Sequence, residues 1–151
     1  MAAVEQEPIE ILLVEDNEPD LDLTMEALQS GKLRNRIHVA RDGIEALEFL
    51  RRQGKHASAP RPHLVLLDLN MPRMDGREVL EEVAKDDKLR QLPIIVLTSS
   101  EADKDVLASY KLGCNSYIVK PVDFEGFCRV IQSMTGYWFT LVVLPQDDAR
   151  A

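Results

Sequence analysis

The residues of this sequence that could bind a cation or a phosphate stand at the ends of short apolar runs. Glu15 and Asp16 follow the run IEILLV, Asp68 ends HLVLLD, Thr98 ends PIIVLT, and Lys120 follows SYIV. Carboxylates a few ångströms apart repel each other, so at least one would be protonated unless a cation lay between them. Mg²⁺ prefers oxygen ligands and keeps several waters, which leaves room for phosphate oxygens. If the fold brings these residues together, they predict a Mg²⁺ site.

Charge and nucleophilicity indicate the reaction that such a site could support. Glu15, Asp16 and Asp68 carry three negative charges, which Mg²⁺ and Lys120 would balance. Phosphoryl transfer depends on positioning and electrostatics, and both cations would stabilise the group in transit. The Asp68 carboxylate can act as a nucleophile and form an acyl phosphate, while the Thr98 hydroxyl can bond a phosphate oxygen. Taken alone, each residue could instead cap a helix or lie at the surface.

Apolar runs alternate with amphipathic stretches along the chain, and this order predicts five β–α units. Because the strands are apolar almost throughout, we expect an α/β fold with a doubly wound parallel sheet and helices on both faces. The carboxyl ends of parallel strands meet at one edge, where order 2-1-3-4-5 would place Asp16 beside Asp68. The predicted strands are Ile9–Val14, Ile37–Ala40, His63–Asp68, Pro93–Thr98 and Ser116–Val119.

Helix signals separate these strands. Pro19 favours the start of a first helix and Gly31 its end. Two prolines within Lys55–Pro62 predict a loop between the second helix and the third strand. The other helices are expected at Ile44–Leu50, Val79–Val83 and Val106–Leu112, and from Phe124 onward.

Composition and charge are those of one acidic globular domain. The chain has 151 residues, of which 45% are hydrophobic and 29% charged, and its formal net charge is −8. An acidic surface repels the phosphates of nucleic acids. The basic residues nearest to a patch, which are Arg34 with Arg36 and Arg51, Arg52 with Lys55, are interpreted as solvated charges. Direct DNA binding is therefore not expected.

The cysteines and the amino-terminal segment bear on the cellular compartment. Cys114 and Cys128 lack metal-ligand spacing and are interpreted as small buried hydrophobic residues, not as a disulfide or a metal site. Met1–Pro8 shows no signal peptide, and no apolar run approaches the roughly 18 residues of a membrane span. We therefore expect a cytoplasmic protein.

Four motifs together resemble a CheY-type response-regulator receiver domain. They are LLVEDN at 12–17, LLDLNMPRMDG at 66–76, LTSS at 97–100 and YIVKP at 117–121, and the resemblance covers about residues 8–135. It implies the flavodoxin-like (βα)₅ fold with strand order 2-1-3-4-5 and phosphotransfer from a sensor histidine kinase. It also implies a cis peptide between Lys120 and Pro121.

The resemblance assigns a role to each site residue. Glu15 and Asp16 match the acidic metal pair, and Asp68 matches the phosphoacceptor, which is also a metal ligand. The backbone carbonyl of Asn70 would be a further ligand. Lys120 and the hydroxyl of Thr98 would contact the phosphoryl group, and Thr98 with Tyr117 resembles the switch pair of a hydroxyl and a mobile aromatic ring.

A helical stripe of apolar residues continues beyond the expected end of the fold. The stripe predicts an extended C-terminal helix, although β-branched residues at 140–143 could become extended. We divide the chain into a receiver domain at 8–135, an apolar extension at 136–145 and a disordered tail at 146–151. The extension either forms a binding surface or folds back onto its own domain. The members of the stripe are Phe124, Phe127, Val130, Ile131, Met134, Trp138, Leu141 and Val142.

The ending of the chain is similar to receivers that pair with cyanobacterial and bacterial phytochrome kinases. Trp138-Phe139, Leu144-Pro145 and the long loop at 51–62 carry this resemblance. It implies a light-regulated kinase as phosphodonor and a homodimer formed through the fourth helix, fifth strand and fifth helix. The expected dimer contacts are Tyr117, Phe127, Trp138, Phe139 and Leu141.

The sequence thus predicts a response regulator that signals through a downstream protein and has no DNA-binding output domain. It would catalyse only its own phosphorylation and dephosphorylation. A phosphatase with an Asp nucleophile is one alternative, but its DxD pattern needs an acid where this chain has Asn70. A phosphorylation-independent dimeric scaffold is the other alternative, and it has no physical need for clustered carboxylates.

Overall fold

The computed structural model describes residues 8–30, 34–99 and 108–134 and contains one five-stranded parallel sheet. Its strand order, β2-β1-β3-β4-β5, is the predicted one. Two strands have the predicted bounds, and β2 begins two residues earlier than predicted. The strands are β1 Ile9–Val14, β2 Asn35–Ala40, β3 Leu64–Asp68, β4 Ile94–Thr98 and β5 Ser116–Val119.

Helices follow the strands in turn, and several begin with a capping side chain. Asn17 accepts a hydrogen bond from the N–H of Asp20, Asp42 caps the next helix, and Asp75 forms a capping box with Glu78. These caps stand at the carboxyl ends of the strands, so they fix the loops around that edge of the sheet. The helices are α1 Glu18–Gln29, α2 Gly43–Arg51, α3 Gly76–Ala84, α4 over residues 108–111, and α5 Phe124–Met134.

The sheet separates two apolar layers. Leu12 and Val14 pack with residues of α2 and α3, whereas Ile11 and Leu13 pack with residues of α1 and with Phe127 of α5. Successive side chains of a strand point to opposite faces, and helices cover both faces. This explains why β1 reads as a continuous apolar run and not as an alternating one.

Strand register brings the site-bearing ends together. Val14 pairs with Leu67, so Glu15 and Asp68 come next on neighbouring strands. Thr98 pairs with Val119, and the N–H of Lys120 donates to the Thr98 carbonyl at 2.8 Å. The carboxyl ends of β1, β3, β4 and β5 thus form one polar edge.

The remaining sequence predictions have mixed outcomes. The Lys120–Pro121 peptide is cis, as the family resemblance implied. The predicted loop at 55–62 begins within a short 3₁₀ helix, Gly54–His56. Cys114 is buried, but Cys128 is only half-buried. The extension at 136–145 and the tail at 146–151 lie outside the described residues. Within the described ranges, no helix has the length and apolar composition to cross a membrane.

Gly76 allows α3 to start directly against the end of β3. A Cβ at this position would lie 2.5 Å from the backbone oxygen of Asp68 and 2.9 Å from Cα of Leu69. The N–H of Gly76 donates to the Leu69 carbonyl at 3.0 Å, so the two segments cannot separate without losing this bond. Gly76 is therefore required for the backbone position of Asp68.

We predict that Gly76→Ala lowers the free energy of unfolding by about 1–3 kcal/mol, because the added methyl group meets backbone atoms. Gly126→Ala in α5 is the control, since its Cβ would meet only the Asp123 carboxylate at 3.2 Å. That variant should lose less stability than Gly76→Ala, because only a side-chain carboxylate must move and alanine favours helix. Urea unfolding monitored by circular dichroism measures both, and equal effects of the two substitutions would contradict this account.

Candidate functional site

The acidic residues predicted from the sequence come together at the polar edge of the sheet. One carboxylate oxygen from each of Glu15, Asp16 and Asp68 lies within 4.8 Å of the other two. Glu15 and Asp68 are buried, whereas Asp16 is exposed. The cluster therefore combines a desolvated interior with one ligand that faces the solvent.

Lys120 reaches this cluster from the end of β5. Its Nζ lies 2.7 Å from Glu15 Oε1, 2.9 Å from Asp20 Oδ2 and 3.5 Å from Asp68 Oδ1. Burial lowers the pKa of Lys120, but the hydrogen bonds to Glu15 and Asp20 outweigh it, so the net pKa is raised and the ammonium stays charged. The sequence prediction placed Lys120 correctly beside the carboxylates.

The structure adds Asp20, which sequence reasoning missed. An acid at the third position of a helix is an ordinary capping signal, so Asp20 alone gave no reason to expect a contact with Lys120. The two residues are 100 positions apart in the chain. Only the tertiary arrangement of α1 beside the end of β5 reveals their hydrogen bond.

Glu15 shows that the cluster suits a divalent cation. Burial raises the pKa of Glu15 from 4.5 to about 7; the hydrogen bond from Lys120 opposes this rise, and the nearby charge of Asp68 adds to it. Among the described residues, the ammonium of Lys120 at 2.7 Å is the only polar partner of Glu15 Oε1. Three carboxylates facing one ammonium leave excess negative charge, and oxygen donors in this arrangement suit Mg²⁺ or a similar hard cation.

The other predicted site residues flank the cluster. Thr98 is buried at the end of β4. The N–H of Asn70 donates a hydrogen bond to Asp68 Oδ1 at 3.4 Å. Tyr117 is half-buried on β5, where its ring packs edge-to-face with Tyr110 at a centroid distance of 6.3 Å. Tyr117 is thus on the neighbouring strand to Thr98, on the side of the sheet that faces α4.

The predicted dimer contacts are only partly within the described residues. Phe127 of α5 is fully buried in the core. It therefore does not have the surface position that a dimer contact requires. The helical stripe did not reveal this, because periodicity alone does not distinguish a core face from an interface. Trp138, Phe139 and Leu141 lie outside the described residues.

An ion pair holds the loop that follows Asp68. Arg73 contacts Asp42 Oδ2 through two nitrogens, at 2.8 and 2.7 Å, and Asp42 also caps α2. The N–H of Gly43 donates to the Met74 carbonyl at 3.0 Å. The loop carrying Asn70 is therefore tied to the start of α2, a contact that the sequence did not predict because Asp42-Gly43 resembles a simple helix start.

Residues 11–132 match the family model of the response regulator receiver domain. The match includes β1 from Ile11 onward, the other four strands and every residue of the acidic cluster. Its position agrees with the range of about 8–135 on which the sequence resemblance rested.

Three known proteins are similar over most of their length. Response regulator Rcp1 of Synechocystis sp. is 41% identical over 138 residues, 91% of this chain and 94% of Rcp1. The Mn(2+)-bound form of response regulator Rcp1 has a TM-score of 0.72 and 40% identity, covering 87% of this chain and 94% of that one. The structure of the bacteriophytochrome response regulator AtBRR has a TM-score of 0.78 and 48% identity, and the match covers 85% of this chain and 93% of that chain. The phosphorylated cyanobacterial phytochrome response regulator RcpA has a TM-score of 0.74 and 38% identity, and the match covers 91% of this chain and 96% of that chain.

We predict that the metal-free protein loses stability as pH rises from about 4.5 to about 7, the ordinary and the folded pKa of Glu15. The folded state binds this proton more tightly than the unfolded state, so its stabilising effect is complete at low pH and is lost through this window. In Glu15→Gln, the decrease in the free energy of unfolding over this window should be smaller by about 1–3 kcal/mol. Urea unfolding in EDTA at pH 5 and pH 8 measures it.

Mg²⁺ is the second variable of the same experiment. Millimolar Mg²⁺ should restore stability to the wild-type protein at pH 8, because a cation replaces the missing proton, and should help Glu15→Gln less. An equal pH dependence of wild type and variant in EDTA would contradict the assigned pKa.

Proposed function

Because this chain belongs to the response regulator receiver family, we propose that Asp68 accepts a phosphoryl group from a sensor histidine kinase. The protein is a receiver-domain response regulator of two-component signalling, related to phytochrome response regulators. One observation carries the proposal: the Asp68 carboxylate ends β3 among acidic oxygens and lies 3.5 Å from the ammonium of Lys120.

The chemical step is an in-line displacement at phosphorus. An oxygen of Asp68 attacks the phosphorus of a phosphohistidine, and the P–N bond breaks as the new P–O bond forms. The imidazole nitrogen keeps the electron pair and takes a proton from solvent, which leaves an acyl phosphate on Asp68. Hydrolysis of that anhydride by water returns the carboxylate and releases inorganic phosphate. We propose that the protein catalyses no reaction beyond these two.

The residues around Asp68 supply charge and orientation. Glu15, Asp16, Asp68 and the carbonyl of Asn70 would hold Mg²⁺. When bound, Mg²⁺ neutralises negative charge on the carboxylates and on the phosphoryl oxygens. The ammonium of Lys120 provides the other positive charge, and its burial strengthens that interaction.

Readout would pass from Thr98 to Tyr117. A phosphoryl group on Asp68 would accept a hydrogen bond from the Thr98 hydroxyl at the end of the neighbouring strand. Movement of Thr98 changes the space beside β5, where the Tyr117 ring packs against Tyr110 of α4. We propose that this ring responds and alters the α4–β5–α5 surface.

The proposed partners follow from that surface and from the relatives. The phosphodonor would be a phytochrome kinase, in line with the related phytochrome response regulators. Output would pass to a homodimer partner and to a downstream protein, without direct DNA contact. A phosphorylation-independent scaffold is less well supported, because a scaffold does not need buried carboxylates around a lysine.

We predict that wild-type protein incubated with Mg²⁺ and phosphoramidate gains the mass of one phosphoryl group. Asp68→Asn should gain none, because an amide is not a nucleophile under these conditions. Asp22→Asn, an exposed acid of α1 outside the cluster, is the matched control and should behave like wild type. Intact mass spectrometry before and after hydroxylamine reads the result. Absence of the phosphoryl group on wild type would favour the scaffold.

We also predict a homodimer through the α4–β5–α5 surface. Tyr110 of α4 is 43% exposed and packs on Tyr117, so Tyr110→Ser should weaken self-association by at least about tenfold. Leu23→Ser on α1, 50% exposed, is the control and should leave association unchanged. Light scattering across a concentration series, with and without phosphorylation, measures both. A wild-type monomer under both conditions would contradict the dimer.

A further inference from the structure

Asp20 occupies a helix-capping position, but its carboxylate bonds elsewhere. At the third position of α1, its own N–H donates to Asn17 Oδ1 at 2.9 Å, as an N-cap arrangement requires. An acid at this position commonly accepts a hydrogen bond from the N-cap N–H. Here the N–H of Asn17 donates to Glu15 Oε2 at 3.3 Å, and the Asp20 carboxylate accepts from Lys120 Nζ at 2.9 Å.

This contact places the ammonium of Lys120 nearer to α1 than to the phosphoacceptor. Lys120 Nζ is 2.7 Å from Glu15 and 2.9 Å from Asp20, but 3.5 Å from Asp68. An ammonium has three N–H donors, and its two shortest contacts use the acids beside Asp68. The third donor is left for Asp68 at 3.5 Å, and moving the ammonium closer to a phosphoryl group there would lengthen one of the two shorter contacts.

Burial determines which contact can be exchanged. Glu15 is fully buried, so losing the ammonium would leave its charge without compensation in the interior. The side chain of Asp20 is 36% exposed, so water can solvate it when the ammonium leaves. The side chain of Lys120 is only 11% exposed, which keeps the ammonium within reach of all three acids.

We propose that Asp20 is a positioning residue that holds the Lys120 ammonium back from Asp68 in the unphosphorylated protein. It releases the ammonium to the phosphoryl group during transfer, and the strength of the Asp20–Lys120 contact sets how readily Asp68 is phosphorylated. This inference rests on the proposed function of Asp68. It adds a restraint on the unphosphorylated state that the metal site and the switch pair do not contain.

The test compares Asp20→Asn with Asp22→Asn, which removes the same charge from an exposed position of the same helix. With Mg²⁺ and phosphoramidate, Asp20→Asn should be phosphorylated about three- to tenfold faster than wild type, as expected for loss of a partly buried ion pair. Asp22→Asn should match wild type. An unchanged or slower rate for Asp20→Asn would overturn the inference.

A double substitution separates release of the ammonium from a general effect of charge. In a Lys120→Ala background, Asp20→Asn should no longer change the rate, because there is no ammonium to release. A gain that persists in that background would overturn the inference, since Asp20 would then act on the phosphodonor directly.

A nuclear magnetic resonance readout is independent of phosphorylation. The side-chain ¹⁵N signal of Lys120 in the metal-free protein should shift in Asp20→Asn and remain in place in Asp22→Asn. An unshifted Lys120 signal in Asp20→Asn would overturn the contact itself. Failure of wild type to accept phosphate would overturn the proposed function and this inference together. Normal phosphorylation with equal rates for the two variants would overturn this inference alone.

Discussion

The ion pair between Lys120 and the buried carboxylate of Glu15 is the interaction on which the polar edge of the sheet depends. Its 2.7 Å separation joins the ends of β1 and β5, which lie three positions apart in the sheet order. Burying both charges costs free energy that their attraction only partly offsets. The end of β3 and the first turn of α1 add two further carboxylates, those of Asp68 and Asp20, around the same ammonium. The excess negative charge is what makes the site suitable for a divalent cation.

The apolar construction of the sheet could be predicted from sequence, because both of its faces are buried. Continuous apolar runs then mark the strands with little ambiguity, and their polar ends mark the site. The start of β2 is the exception. It is an edge strand, and its first two residues that pair with β1, Asn35 and Arg36, are polar, so an apolar pattern does not mark them as strand. The cluster of Glu15, Asp16 and Asp68 was predictable for the same reason that the strands were.

Contacts between distant loops and helices could not be predicted in this way. Asp20 has the sequence signature of a capping acid, and nothing local connects it with Lys120. Arg73 and Asp42 bridge the loop after β3 and the start of α2, although each looks like an ordinary loop residue. Phe127 belongs to a helical stripe whose periodicity fits a core and an interface equally well, and its complete burial decided between them. Such contacts depend on the packing of elements and not on local pattern.

The proposed signal passes from the acidic cluster to the surface across neighbouring strands. In this proposal Asp68 and Lys120 respond to the phosphoryl group, Thr98 lies at the end of the next strand, and Tyr117 lies on β5 beside α4. The strands β3, β4 and β5 are consecutive in the sheet, so a change of charge at Asp68 is close to a surface that another protein could recognise. Asp20 adds a restraint on the opposite side, where α1 competes for the same ammonium.

The central claim is that the acidic cluster beside Asp68 binds a divalent cation, and anomalous diffraction from crystals grown with Mn²⁺ tests it most directly. Mn²⁺ shares the preference of Mg²⁺ for oxygen ligands and scatters anomalously. The account predicts an anomalous peak among the carboxylates of Glu15, Asp16 and Asp68 and beside the carbonyl of Asn70. Crystals of Asp16→Asn should show a weaker peak or none. Wild-type crystals with no peak at this cluster, or with Mn²⁺ bound elsewhere, would contradict the account.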